Sequence, residues 1–139
     1  MSFLGDLQFE IEPGDRLVVR LTKHLAYMDK LGHKFTVPVG FRCDLASVPK
    51  IFRSITTPWH QSARAGVLHD CCYRWGPFWV LNRSDADKLY AWALIDDGVS
   101  RWRAHVQRLA VRLGAGGAWD RYRELHPSKK GQKPKKVEL

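Results

Sequence analysis

The stretch QSARAGVLHDCCYRW, residues 61–75, decides the architecture. Its apolar positions Ala65, Leu68, Cys72 and Trp75 recur at three- and four-residue intervals, the period of an amphipathic helix. Two ionisable side chains, His69 and Asp70, stand together in its middle, where burial is costly unless partners satisfy them. A helix built this way needs a neighbour that can answer the pair. Gly76-Pro77 reads as its stop.

The next stretch supplies that neighbour. After a short aromatic connector, FWVL at 78–81, Ser84 is a good N-cap, and Asp85 and Asp87 put carboxylates in the first turn of a second helix that runs to Asp96 and stops at Gly98. A third helix is expected over 100–113. It would place Trp102, Val106, Leu109 and Leu113 on one face and leave Arg101, Arg108 and Arg112 to water. Gly114, Gly116 and Gly117 break it, and a fourth short helix is expected over 119–125.

Upstream the pattern changes. RLVVRL (16–21) and LAYM (25–28) are rich in β-forming residues, DKLG (29–32) is a turn, and HKFTV (33–37) alternates polar and apolar as a half-buried strand does. Residues 41–59 mix apolar and turn residues without a period and read as a structured loop with one helical turn. The expected fold is therefore α+β: a small N-terminal antiparallel β-meander packed on three main α-helices. It forms one domain over 1–126, followed by a flexible Lys-rich tail over 127–139.

The 139 residues suit one domain, and 45% hydrophobic with 12% aromatic content excludes wholesale disorder. No apolar run is long enough to span a bilayer. The start, MSFLGDLQFEIEPGDR, carries acids where a secretory signal needs basic and apolar blocks, so unaided export is not expected. The net charge is +9, and the tail holds five Lys and one Glu, so the rest keeps 18 − 13, or +5. Such a field suits nucleic acid, anionic lipid or an acidic protein. In the tail, Lys129, Lys130, Lys133, Lys135 and Lys136 are candidates for weak, salt-sensitive contact with an anionic partner. Cys43, Cys71 and Cys72 match no zinc pattern and are expected as reduced thiols.

The chemistry converges on His69. On a helix it lies one turn from Tyr73, and Asp70 lies one turn from Arg74. Asp85 and Asp87 follow His69 by 16 and 18 residues, a separation that lets two antiparallel helices oppose them. Either acid would bond one imidazole nitrogen and fix the tautomer, freeing the other nitrogen to take a proton from water. Asp70, with Asp44 from the preceding loop, is a candidate ligand for Ca²⁺ or another divalent cation.

Two families share these residues. HDCCYR (69–74) followed by an Asp on the next helix resembles the His-Asp-x-x-Tyr helix pair of secreted phospholipase A₂, especially its bacterial and fungal branch. That resemblance implies a general base at His69, a calcium ligand at Asp70, and a supporting network of Tyr73 with Asp85 or Asp87. Over a longer span, VPVGFRCDLASVP (37–49), HDCCY (69–73) and RSDAD (83–87) are similar to a phage and prophage family known as domain of unknown function 1353. Its usual pattern is VPxGFxTDLASVP, HDxLY and RxxAD. This implies a phage origin, synthesis in the host cytoplasm, and association with the virion as a further expectation.

Two functions follow as expectations. One is a hydrolase-like phage protein that attacks the host envelope, with a phospholipid ester as candidate substrate, during entry or lysis. The other is a non-enzymatic virion, tail or assembly component that binds other phage structural proteins and uses the His-Asp network structurally.

Overall fold

The computed structural model describes residues 2–14, 18–44, 59–79, 83–114 and 120, apart from the side chains of 2, 44, 59–62 and 75–79. The tail lysines, the expected helix over 119–125 apart from residue 120, and most of the DLASVP loop lie outside the described residues. Among the described residues six strands lead: β1 (Ser2–Phe3), β2 (Phe9–Glu12), β3 (Val18–Leu21), β4 (Leu25–Met28), β5 (Lys34–Val37) and β6 (Arg42–Asp44). Three helices follow among them: α1 (Trp59–Trp79), α2 (Arg83–Asp96) and α3 (Arg101–Gly114). The fold is α+β, as the sequence pattern indicates.

The strands do not form one meander. They make two antiparallel three-stranded sheets, ordered β1-β4-β5 and β2-β3-β6. The reason is edge occupancy. β2 and β6 flank β3 on both sides, and Thr22 N–H to Gln8 O and Gly40 N–H to Leu21 O extend those pairings. No edge of β3 is left for β4, which starts the other sheet. In β5 the expected alternation is present: Phe35 and Val37 are buried, Lys34 and Thr36 exposed. β4 departs from alternation because Leu25, Ala26 and Tyr27 are all buried, so that strand is covered on both faces. The Asp29 carboxylate closes the β4–β5 turn by accepting from the N–H groups of Leu31 (2.9 Å) and His33 (2.8 Å). Gly32 there sits at φ +82°, where a side chain would be strained.

α1 is buried on more than one side. Ala65, Val67, Leu68, Cys71, Cys72 and Tyr73 are all in the core, because β4 and β5 cover one flank and α2 the other. It also runs past its expected stop at Gly76-Pro77 to Trp79. A proline clashes with the Cβ of the residue before it, and Gly76 has none, so one further half-turn is tolerated. α2 opens at Arg83, which puts Ser84 inside the first turn rather than before it. It ends as expected. Gly98, at φ +94°, donates to Ile95 O, and Val99 N–H returns to Leu94 O at 3.0 Å.

α3 corrects another expectation. Its buried residues are Ala104 and Gln107, whereas Trp102, Leu109 and Leu113 are 63%, 59% and 77% exposed. The apolar face points outward and Arg112, expected in water, turns toward α2. Interhelical polar bonds set this orientation: Tyr90 O–H donates to Gln107 Oε1 at 2.8 Å, and Arg83 donates to the carbonyls of Val111 (2.8 Å) and Arg112. These two carbonyls belong to the last turn of α3, where no intrahelical donor reaches them.

Candidate active site

The centre forms where α1 faces α2. His69 and Tyr73, one turn apart on α1, both reach Asp87 on the first turns of α2. The His69 Nε2 to Asp87 Oδ1 distance is 2.8 Å, and Tyr73 O–H donates to the same oxygen at 2.7 Å. Asp87 Oδ2 accepts from Arg112 Nη1 at 3.3 Å, with Arg83 Nε 4.0 Å away. Arg83 Nε also donates to the Tyr73 hydroxyl oxygen at 3.1 Å. The His69 ring lies against Tyr73 and Tyr90, with centroids 4.3 and 4.7 Å apart.

The direction of these bonds follows from what each group can do. An ionised carboxylate only accepts, so the Nε2 facing Asp87 carries the proton. In the neutral imidazole Nδ1 is then the unprotonated nitrogen. Among the described residues Nδ1 has no hydrogen-bond partner, and the His69 side chain keeps 12% exposure against 0% for Asp87.

Electrostatics support an ionised Asp87. Burial alone would raise its pKa, but the hydrogen bonds from His69 and Tyr73, the imidazolium charge whenever His69 is protonated, and the Arg112 bond outweigh burial and hold the carboxyl below its ordinary value. Burial, followed by the bond to Asp87, pushes the Tyr73 hydroxyl well up, so it stays a donor. Burial pushes Tyr90 up to about 12. Burial also raises the Cys71 and Cys72 thiols, and both are free and buried. They serve as small core residues, not nucleophiles.

Of the two acids that spacing offered, Asp87 meets the imidazole. Asp85 is two residues earlier, about 200° round the helix, and is half-buried in the first turn of α2. Asp70 points to a different neighbour. Its Oδ2 is 3.4 Å from Arg74 Nη2, and Arg74 Nη1 donates to Arg42 O on β6 at 2.8 Å. That strand carries Asp44 at its end, and Asp44's side chain lies outside the described residues. Among the described residues no group of three or more His, Cys, Asp or Glu side chains is placed to hold a metal ion. The described donors do not by themselves make a cation site.

Three members of the centre escaped the sequence reading. Arg83 and Tyr90 sit four residues before and three after Asp87, so helical spacing could have placed both beside it. Arg112 gave no such signal, because it lies 25 residues from Asp87 on a helix whose apolar stripe suggested the opposite orientation.

No curated protein and no solved structure matches the chain. One family model does: the protein of unknown function DUF1353, over residues 19–111, a span that contains both sides of the His69–Asp87 contact and well over half of the 139 residues. The chain belongs to the DUF1353 family.

Proposed function

We propose that this protein is a hydrolase in which His69 is the general base, acting on a phospholipid ester of a cell envelope. One observation carries the reading. His69 Nε2 is clamped on a buried carboxylate that Tyr73 and Arg112 also engage, while Nδ1 has no partner among the described residues. A base needs this division: one nitrogen fixed, the other free to accept. In the reaction, water gives a proton to Nδ1 as its oxygen attacks the ester carbonyl. The tetrahedral intermediate collapses, and the proton returns from Nδ1 to the leaving alkoxide. Asp87 stabilises the imidazolium formed between those steps. The phage setting implied by the motif resemblance would make the host envelope the ester-rich target.

The test is fatty-acid release from phosphatidylglycerol vesicles by the full chain. Wild type is expected to release acid, and His69→Gln to lose about 10²–10⁴-fold while melting like wild type. Equal rates for the two proteins would overturn the reading.

A second reading has its own support. Asp87 is fully buried and answered by His69, Tyr73 and Arg112, which is also how a structural network pins two helices in a non-enzymatic assembly protein. It predicts no release by wild type and a lowered melting temperature for His69→Gln.

A further inference from the structure

We propose that the outward apolar stripe of α3 docks on an anionic phospholipid surface. Trp102, Val106, Leu109 and Leu113 follow one another at four, three and four residues and so form a single line along the helix. The helix meets α2 through the opposite side, where Ala104 and Gln107 are buried. The three largest side chains of the line are more than half exposed. An amphipathic helix held with its apolar side outward marks an interaction surface.

Charge selects the occupant. α3 carries four arginines, Arg101, Arg103, Arg108 and Arg112, and no acid. Arg101, Arg103 and His105 are exposed, and the Arg103 guanidinium rests over the Trp102 ring at 5.3 Å, at the edge of the stripe. A second copy of this helix would bring arginine against arginine with no acid between them. Size argues the same way. The line is about 16 Å long and one helix wide, a footprint of roughly 160 Å². A stable protein interface needs about 800 Å² from each partner. A short strip of Trp and Leu flanked by arginines is what an interfacial helix uses: the apolar side chains enter the acyl boundary and the cations meet the anionic headgroups. The surface is independent of the hydrolytic reading, since the residues it rests on, the apolar line with Arg101 and Arg103, are not those of the His69–Asp87 centre.

Vesicle flotation of the full chain tests it. The protein is expected to float with vesicles of phosphatidylglycerol and phosphatidylcholine at low salt, and far less with phosphatidylcholine alone. Replacing Trp102, Leu109 and Leu113 together by Ser lowers partitioning about tenfold or more, as does Arg101→Glu with Arg103→Glu, with unchanged circular dichroism. His69→Gln floats like wild type, so binding is read apart from hydrolysis. The proposal is overturned if wild type does not float or if the triple Ser variant binds as wild type does. It is equally overturned if binding vanishes when Lys129, Lys130, Lys133, Lys135 and Lys136 become Gln, or if sedimentation shows a dimer that the triple Ser variant abolishes.

Discussion

Replacing Asp87 by Ala removes the acceptor on which three donors converge. Tyr73 is 3% exposed, so its hydroxyl loses its acceptor without gaining water. His69, at 12%, is little better placed, whereas Arg112, at 39%, can rehydrate. An unsatisfied buried donor costs about 1–3 kcal/mol, and loss of one member of a buried ion pair about 3–5 kcal/mol. With Arg112 left out for its exposure, the two donors His69 and Tyr73 sum to about 2–6 kcal/mol, a large part of a typical stability of about 5–15 kcal/mol. With a urea slope of about 2 kcal/mol/M, the midpoint falls by roughly 1–3 M at neutral pH. Urea unfolding followed by circular dichroism reads this directly. The sign with pH is also fixed. The carboxyl is held below its unfolded value of about 3.9, so its contribution is complete above that value and is lost as pH falls through the lower folded value. The difference between wild type and Asp87→Ala should therefore shrink in acid. A midpoint drop under about 0.5 M at neutral pH would refute the claim that this carboxylate joins α1 to α2.

Arg64 grips Asp97 with two bonds, Nη2 to Oδ1 at 2.5 Å and Nε to Oδ2 at 3.1 Å, and donates to Gly5 O at 3.1 Å. Arg64→Lys loses the fork and should cost about 1.5–3 kcal/mol in urea unfolding despite keeping the charge. Tyr27 is fully buried and donates to Asp96 Oδ2 at 2.5 Å, so Tyr27→Phe leaves an acceptor short and should cost about 1–2 kcal/mol in the same assay. Cys43, Cys71 and Cys72 are buried thiols, so a thiol reagent should label them on the unfolding timescale, and immediate labelling of the native protein would contradict their burial.

The helices were legible because their signals are local. Gly98 marked the end of α2, and the cost of burying His69 and Asp70 together marked α1 as a helix with a polar partner. Spacing could not separate Asp85 from Asp87, since both lie in one turn and only the angle at which α2 meets α1 selects between them. Strands β1, β2 and β6 were unreadable for a different reason. They are two to four residues long and are made by pairing: Glu10 stands opposite Arg20, and Arg42 reaches over β3 to Glu12. On α3 the sequence pattern leaves Arg112 to water, whereas Tyr90 and Arg83 hold the helix with its small, polar side inward and Arg112 reaches Asp87.

The sharing of one oxygen by two donors makes a further prediction about the site. His69 Nε2 and Tyr73 O–H both meet Asp87 Oδ1, and Arg112 meets Oδ2. Asp87→Asn can therefore keep its carbonyl oxygen at the Oδ1 position and satisfy both α1 donors. The imidazole then keeps its proton on Nε2. The amide nitrogen falls where Oδ2 was, donor against donor with Arg112. The damage of Asp87→Asn is thus confined to that second contact and to the lost charge. Arg112→Gln in the same chain offers an acceptor to the amide and should recover part of the stability, although Arg112→Gln alone destabilises. Urea midpoints of the four proteins give the coupling. Non-additivity above about 0.5 kcal/mol in the favourable direction is expected, since the two side chains touch. Additive losses would mean that the introduced amide sits with its nitrogen toward His69. In that orientation Nε2 accepts and Nδ1 carries the proton, so under the proposed hydrolysis Asp87→Asn would release as little fatty acid as His69→Gln.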